Sequence, residues 1–185
     1  MAHEPDRSLA GYIGRTGSGK TTLIQAHARN LSRLVIWDWR GEYAGPAVTR
    51  ADLPAVLKRR AFRVRVRPTP WRRLEDSFAA LAHVVCALGS DLTIVCDEVA
   101  LVTPDRKEGG VGHILRYARP QGIGFLWATQ RPTGIPGILL SESRRLYVFH
   151  CDARADLAAL GQYLNPDECA RVAALPPFEY VTITK

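Results

Sequence analysis

The sequence predicts an α/β fold in a single domain, with a mostly parallel sheet flanked by helices. Three observations lead there. Apolar runs alternate with helix-like segments along the whole chain, a glycine-rich loop links the first run to the first helix, and a later run ends in two adjacent acids. At 185 residues and 46 % hydrophobic, the chain has the substance for one buried core, and residues 1–185 read as one domain.

The expected strands are residues 9–13, 34–39, 62–67, 92–97, 124–128, 145–150 and 180–184, and the expected helices are 20–31, 53–60, 72–88, 112–119, 153–163 and 167–174. Asn165 before Pro166 supplies an N-cap followed by the proline favoured at the first helical position. No repeat, low-complexity tract or linker divides the chain. The segment expected to be mobile is 103–112, which combines a proline, mixed charges and Gly109-Gly110. Strict alternation over residues 62–67 places Phe62, Val64 and Val66 on one strand face and Arg63, Arg65 and Arg67 on the other. A strand deep in a parallel sheet is apolar on both faces, so this one belongs near an edge or has a face toward solvent, a neighbouring subunit or a ligand.

The loop Gly14-Arg15-Thr16-Gly17-Ser18-Gly19-Lys20-Thr21 fits GxxxxGK[ST] between a strand and a helix. Glycines let the backbone wrap a β-phosphate with its N–H groups pointing inward at a helix N-terminus. The nucleotide-binding set is therefore Gly14, Thr16, Gly17, Ser18, Gly19, Lys20, Thr21 and Thr22, and the expected ligand is ATP with Mg²⁺. Lys20 neutralises β/γ-phosphate charge, and the Thr21 hydroxyl is a metal ligand.

Asp97-Glu98 ends the apolar run 92–97, at the place of a Walker B segment. Asp97 is expected to hold the Mg²⁺ shell with Thr21, and Glu98 to polarise the attacking water as a general base. Gln130 follows the run 124–128, and in a parallel sheet its position falls beside the γ-phosphate, where ligands gather at strand carboxyl ends. The catalytic set read from these motifs is Lys20, Glu98 and Gln130.

No apolar run is long enough to span a bilayer, and residues 1–7 are polar and charged, so the expected location is the cytoplasm. Cys86, Cys96, Cys151 and Cys169 form no CxxC pair and read as reduced core residues. The formal charge of +7 concentrates in residues 58–73, which hold eight basic residues and no acid, as either a solvated face or a polyanion contact.

The motifs together resemble the FtsK/HerA superfamily of P-loop NTPases, of the RecA/ASCE-like type. The resemblance rests on the phosphate loop, Trp37-Asp38-Trp39-Arg40-Gly41-Glu42-Tyr43, Cys96-Asp97-Glu98 and Ala128-Thr129-Gln130-Arg131-Pro132, with the later Arg144 to Phe149 run as its continuation. A bare core of this size is similar to the genome-packaging ATPases of tailless, internal-membrane viruses with double-jelly-roll capsids. The resemblance implies an ATPase that translocates double-stranded DNA as a ring homo-oligomer, expected to be a hexamer. Further partners would be capsid-vertex or viral membrane proteins, and the location would be the host cytoplasm or a packaging vertex of the virion.

Such rings place an arginine on the neighbour's γ-phosphate, an effect worth about 10³ to 10⁵ in rate. Arg119 is the choice carried forward, with Arg116 and Arg131 beside it and Arg144 and Arg145 in reserve. Sequence-independent DNA grip needs phosphate contacts, for which Arg106 and Lys107 stand first, Arg63, Arg65 and Arg67 second, and Arg72 and Arg73 third. Trp37, Trp39 and Tyr43 are either adenine-stacking rings or core aromatics. The competing readings are a plasmid or host DNA pump, a nucleotide-dependent assembly or docking protein, and a small-molecule kinase. The kinase is disfavoured because no acceptor-site lid is evident.

Overall fold

The computed structural model describes residues 9–68 and 73–185. The strands are β1 (Leu9–Ile13), β2 (Arg33–Trp37), β3 (Ala47–Val48), β4 (Phe62–Val66), β5 (Thr93–Cys96), β6 (Gly124–Thr129), β7 (Arg145–Phe149) and β8 (Tyr180–Thr184). The helices are α1 (Lys20–Ala28), α2 (Leu53–Leu57), α3 (Leu74–Leu88), α4 (Gly109–Tyr117), α5 (Gly137–Glu142), α6 (Arg154–Leu160) and α7 (Pro166–Ala173). One sheet runs β3-β4-β2-β5-β6-β1-β7-β8, parallel throughout except for the antiparallel β7–β8 pair.

Strand alternation divides the core into two layers. Val35, Trp37, Ile94, Cys96, Phe125 and Trp127 face α2, α3 and α4, whereas Tyr12, Leu34, Ile36, Val95 and Leu126 face α1. The longest helix shows why it packs where it does: Phe78, Leu81, Ala82, Val85 and Cys86 repeat at helical spacing, and all are buried. Glu75 and Asp76 in its first turn complement the helix dipole. Asn165 caps α7 in a reciprocal box with Glu168, through 2.8 and 2.9 Å hydrogen bonds.

The expected strands all form, with bounds moved by one or two residues. The additions are the two-residue edge strand β3 and the short helix α5, both below the length at which periodicity is visible. β4 is second from the edge, in keeping with its alternation. Within residues 103–112, Asp105 and Arg106 form a tight turn with left-handed φ (52° and 59°), and α4 already starts at Gly109. Gly110 is buried there because α4 crosses α3 so closely that a Cβ would lie 2.7 Å from Ala79 Cα. The four cysteines are free, and three are buried. Among the described residues no helix is long and apolar enough to cross a membrane.

Gly11, in the middle of β1, lies under the Trp127 ring, and a Cβ there would be 2.3 Å from it. The indole has no room to retreat, because Trp127 is fully buried and its Nε1 donates to Ser143 Oγ at 3.0 Å. Gly11→Ala is expected to lower unfolding free energy by about 1–3 kcal/mol through overpacking, read from the urea midpoint.

Candidate active site

The strand order decides the site. β6 lies between β1 and β5, with Ile13 opposite Thr129 and Cys96 opposite Trp127, so the carboxyl ends of three adjacent strands converge. They deliver the phosphate loop, Gln130 and the Asp97-Glu98 pair to one place. A cavity of about 230 Å³ opens there, lined by Thr16, Gly17, Lys20, Thr21, Asp97, Glu98 and Gln130, and on its far wall by Trp37 to Arg40, Glu42 and Tyr43.

The loop glycines take the conformations that the motif demands. Gly17 (φ 77°) and Gly19 (φ 103°) are left-handed, and a Cβ on Gly14 would come within 2.6 Å of Phe149 Cβ. No side chain caps α1 behind Gly19, so its first-turn N–H groups remain for a ligand. Lys20 Nζ donates to the carbonyls of Gly14 (2.8 Å) and Arg15 (2.9 Å). Burial lowers its pKa, and the nearby Asp97 and Glu98 carboxylates oppose that shift. Ser18 Oγ is buried in the loop with no partner among the described residues. An uncapped helix start, a cation bonded only to carbonyls and an orphaned hydroxyl fit a loop built for an anionic ligand.

Thr21 Oγ1 donates to Asp97 Oδ2 at 2.7 Å, and Tyr43 Oη donates to the same oxygen at 3.0 Å. Burial raises the Tyr43 pKa further than the adjacent carboxylate alone would, so its phenol stays protonated. A hydroxyl and a carboxylate in contact are a donor set suited to a hard cation such as Mg²⁺. Glu98 adopts a left-handed backbone (φ 67°, ψ 65°), a strained geometry for a residue with a Cβ. Its Oε1 lies 3.3 Å from Thr129 Oγ1 and accepts from Gln130 N at 3.4 Å, which ties the acid to the tip of β6. Thr22 is on the exposed side of α1.

The loop after β2 adds Asp38 and Arg40 to the surroundings of the cavity. Asp38, buried, accepts from Gly41 N (2.8 Å) and Glu42 N (2.9 Å) and pairs with Arg65 at 3.2 Å. That turn presents Arg40 to the cavity wall, with its guanidinium 4.5 Å over Trp39 and 3.6 Å from Glu42. Its charge also weighs against protonation of Lys20. The hint in the sequence was position: Arg40 follows a strand end, as Glu98 and Gln130 do. Of the three aromatics considered as base platforms, Trp37 is core, packed edge-on to Phe78, Trp39 is half-buried at the cavity wall under the Arg40 guanidinium, and Tyr43 is committed to Asp97.

The basic candidates separate. Arg119 lies just before β6 and lines a different cavity with Leu9, Ile123 and Arg144, all at the amino ends of their strands. A six-residue strand separates it from Gln130, about 20 Å at 3.3 Å per residue, so it does not serve the nucleotide site of its own subunit. Arg116 pairs with Glu108 at 3.3 Å on the exposed face of α4. Arg131 donates to buried Asp156, which also receives the Thr133 hydroxyl at 2.6 Å. Arg144 is exposed next to the Arg119 cavity, and Arg145 opens β7.

For the DNA candidates, Arg63 Nη1 reaches the carbonyls of Ala28 and Leu31, both at 2.7 Å, and so closes the end of α1. Arg65 is bound to Asp38 and to Gly45 O. Both side chains thus have fold partners that the sequence did not show, while Arg67 is exposed. Arg106 and Lys107 are exposed at the tight turn, with Lys107 4.0 Å from Asp105. Arg73 is exposed before α3 beside Glu75, and Arg72 lies outside the described residues.

No protein-family model matches this sequence, and no curated protein matches it. Solved structures do. The genome packaging NTPase B204 from Sulfolobus turreted icosahedral virus 2, in complex with AMPPCP, superposes with a TM-score of 0.79 at 19 % identity, over 98 % of this chain and 93 % of that one. The fold is that of a P-loop ATPase. The bacterial conjugative coupling protein TrwB matches with a TM-score of 0.66 at 12 % identity, over 98 % of this chain and 82 % of its own. VirB4 of Thermoanaerobacter pseudethanolicus matches with 0.68 at 9 % identity, over 100 % of this chain and 89 % of its own. At these identities the likeness is one of fold, and it extends over nearly the whole chain.

Arg63→Ala and Arg65→Ala are each expected to lower unfolding free energy by about 1–3 kcal/mol, because each strips a charged hydrogen bond from a backbone or carboxylate partner. Arg106→Ala and Lys107→Ala should stay within about 0.5 kcal/mol of the parent. Urea midpoints of the four variants check both statements.

Proposed function

We propose that this chain is an Mg²⁺-dependent ATPase that translocates double-stranded DNA, and that the work it does is packaging a viral genome into a preformed capsid. The observation that carries the hydrolytic part is the convergence of Lys20, Thr21, Asp97, Glu98 and Gln130 on one cavity. A kinase or a simple switch does not need the second acid, Glu98. The packaging part is supported by a fold shared, over nearly the full length of both chains, with a viral genome packaging NTPase.

In this reading the first-turn amides of α1 and Lys20 bind the phosphates, and Lys20 exchanges the carbonyls of Gly14 and Arg15 for phosphate oxygens. Thr21 and Asp97 would hold Mg²⁺, which would supply charge neutralisation for the bound phosphates. Glu98 accepts a proton from the attacking water, and the Gln130 amide orients that water beside the γ-phosphate. Because Glu98 is hydrogen-bonded to the backbone of Gln130, a change at the phosphate is felt at the tip of β6. Arg40 lines the same cavity and adds positive charge from within the subunit.

DNA is held by its phosphates without reading sequence. Arg106 and Lys107 are the grip this reading favours: they are exposed, eight and nine residues beyond Glu98 on the segment that leaves the site. Arg67 joins them, while Arg63 and Arg65 serve the fold. A ring homo-oligomer, taken as a hexamer, supplies the trans-acting arginine, and Arg119 acts there on a neighbour's nucleotide. Capsid-vertex or viral membrane proteins are the further partners proposed, with action in the host cytoplasm and at the packaging vertex of the virion.

Lys20→Ala should abolish ATP binding and turnover. Glu98→Gln should lower turnover at least 100-fold while still binding nucleotide, in line with the 10²–10⁴-fold typical of a general base. Normal turnover in Glu98→Gln would remove the assignment of the base. DNA affinity should fall by about 10³ or more between 50 and 200 mM salt, as expected for many phosphate contacts, and salt-indifferent binding would remove the grip.

A further inference from the structure

The turn Leu175-Pro176-Pro177-Phe178-Glu179 joins α7 to β8, with Glu179 N donating to Pro176 O at 3.3 Å. A proline in the second position and a positive φ in the third are the requirements of a type II turn, whose third position belongs to glycine or asparagine. Here that position holds Phe178 at φ 70°. A bulky side chain is strained in this conformation, and burial does not repay the strain: Phe178 is 69 % exposed, more than any other large hydrophobic residue described.

Its neighbours give the strain a use. A Cβ built on Gly19 would lie 3.2 Å from Phe178 Cδ1 and 3.5 Å from Phe149 Cε1, so the Phe178 ring borders the start of α1 at the phosphate loop. The sheet order sets its side. Asp97, Glu98 and Gln130 reach the loop from β5 and β6 on one flank of β1, and Phe178 reaches it from the β7–β8 flank. A nucleotide with its γ-phosphate among the acids must send its base out elsewhere. Trp37, Trp39 and Tyr43, on the acid flank, are already occupied by core packing, by the Arg40 guanidinium and by Asp97.

We propose that Phe178 is the platform on which the nucleotide base stacks. The proposal rests on the reading of Gly14 to Thr21 as a triphosphate site and adds the base subsite to it. Stacking on one ring uses the π-face that every base has, so the platform strengthens nucleoside triphosphate binding without choosing between adenine and guanine. The turn gives up local stability to hold an apolar face beside the phosphate loop.

The test compares ATP with inorganic tripolyphosphate, which has the phosphates and no base, in calorimetric titrations of the parent, Phe178→Gly and Phe178→Trp. Glycine is the residue the turn prefers, so the backbone is kept while the ring is removed. The expected result is about ten-fold or greater weakening of ATP in Phe178→Gly, unchanged tripolyphosphate affinity, and ATP affinity restored by Phe178→Trp. ATP affinity within two-fold of the parent overturns the platform, as does equal weakening of both ligands, which would mark a distorted loop. A parent that binds neither ligand overturns the phosphate-loop reading beneath it. A parent that binds both equally overturns the base platform alone.

Discussion

One carboxylate oxygen holds the site together. Asp97 Oδ2 receives the Thr21 hydroxyl from the first turn of α1 and the Tyr43 phenol from the loop after β2. Charge-assisted hydrogen bonds of this kind are short and about twice as strong as neutral ones, so they fix three separately built elements relative to one another. The phosphate loop, the β5 tip and the β2 loop share that oxygen. β6 makes the arrangement possible by separating β1 from β5 by one strand, which leaves room for Gln130 between loop and acids.

Strain is distributed in keeping with this account. The non-glycine residues with positive φ among those described are Asp91, Glu98, Asp105, Arg106 and Phe178. Glu98 is the candidate base, Asp105 and Arg106 lie on the segment that follows it, and Phe178 borders the phosphate loop. Four of the five thus sit in or next to the places where function is assigned, as expected when packing elsewhere in the fold maintains local strain. Asp91 is the remaining one, in the connection between α3 and β5, where its N–H donates to Gln121 O.

The sequence was legible where the chemistry is local. The phosphate loop needs eight consecutive residues, and Asp97, Glu98 and Gln130 each stand at the end of an apolar run, so their types and order could be read directly. Alternation over β4 correctly divided its faces, but it said nothing of what the arginine face would meet. Arg63 and Arg65 turned out to be spoken for by the end of α1 and by Asp38, partners about thirty residues away in the chain. Arg119 flanks β6 in sequence yet lies at the end opposite Gln130, because a strand places its two ends furthest apart, which puts it out of reach of its own subunit's nucleotide site. Arg40 lay inside the Trp37 to Tyr43 motif without a role of its own and Phe178 lay in no motif, because the significance of both comes from the cavity and the flank that strand order creates.

The claim that this site drives movement along DNA is tested most directly by steady-state ATP turnover of the parent protein with and without duplex DNA of unrelated sequences. Every duplex is expected to raise turnover, and the increase is expected to be lost as salt is raised. Turnover indifferent to DNA would contradict that claim and leave a nucleotide-controlled docking protein in its place.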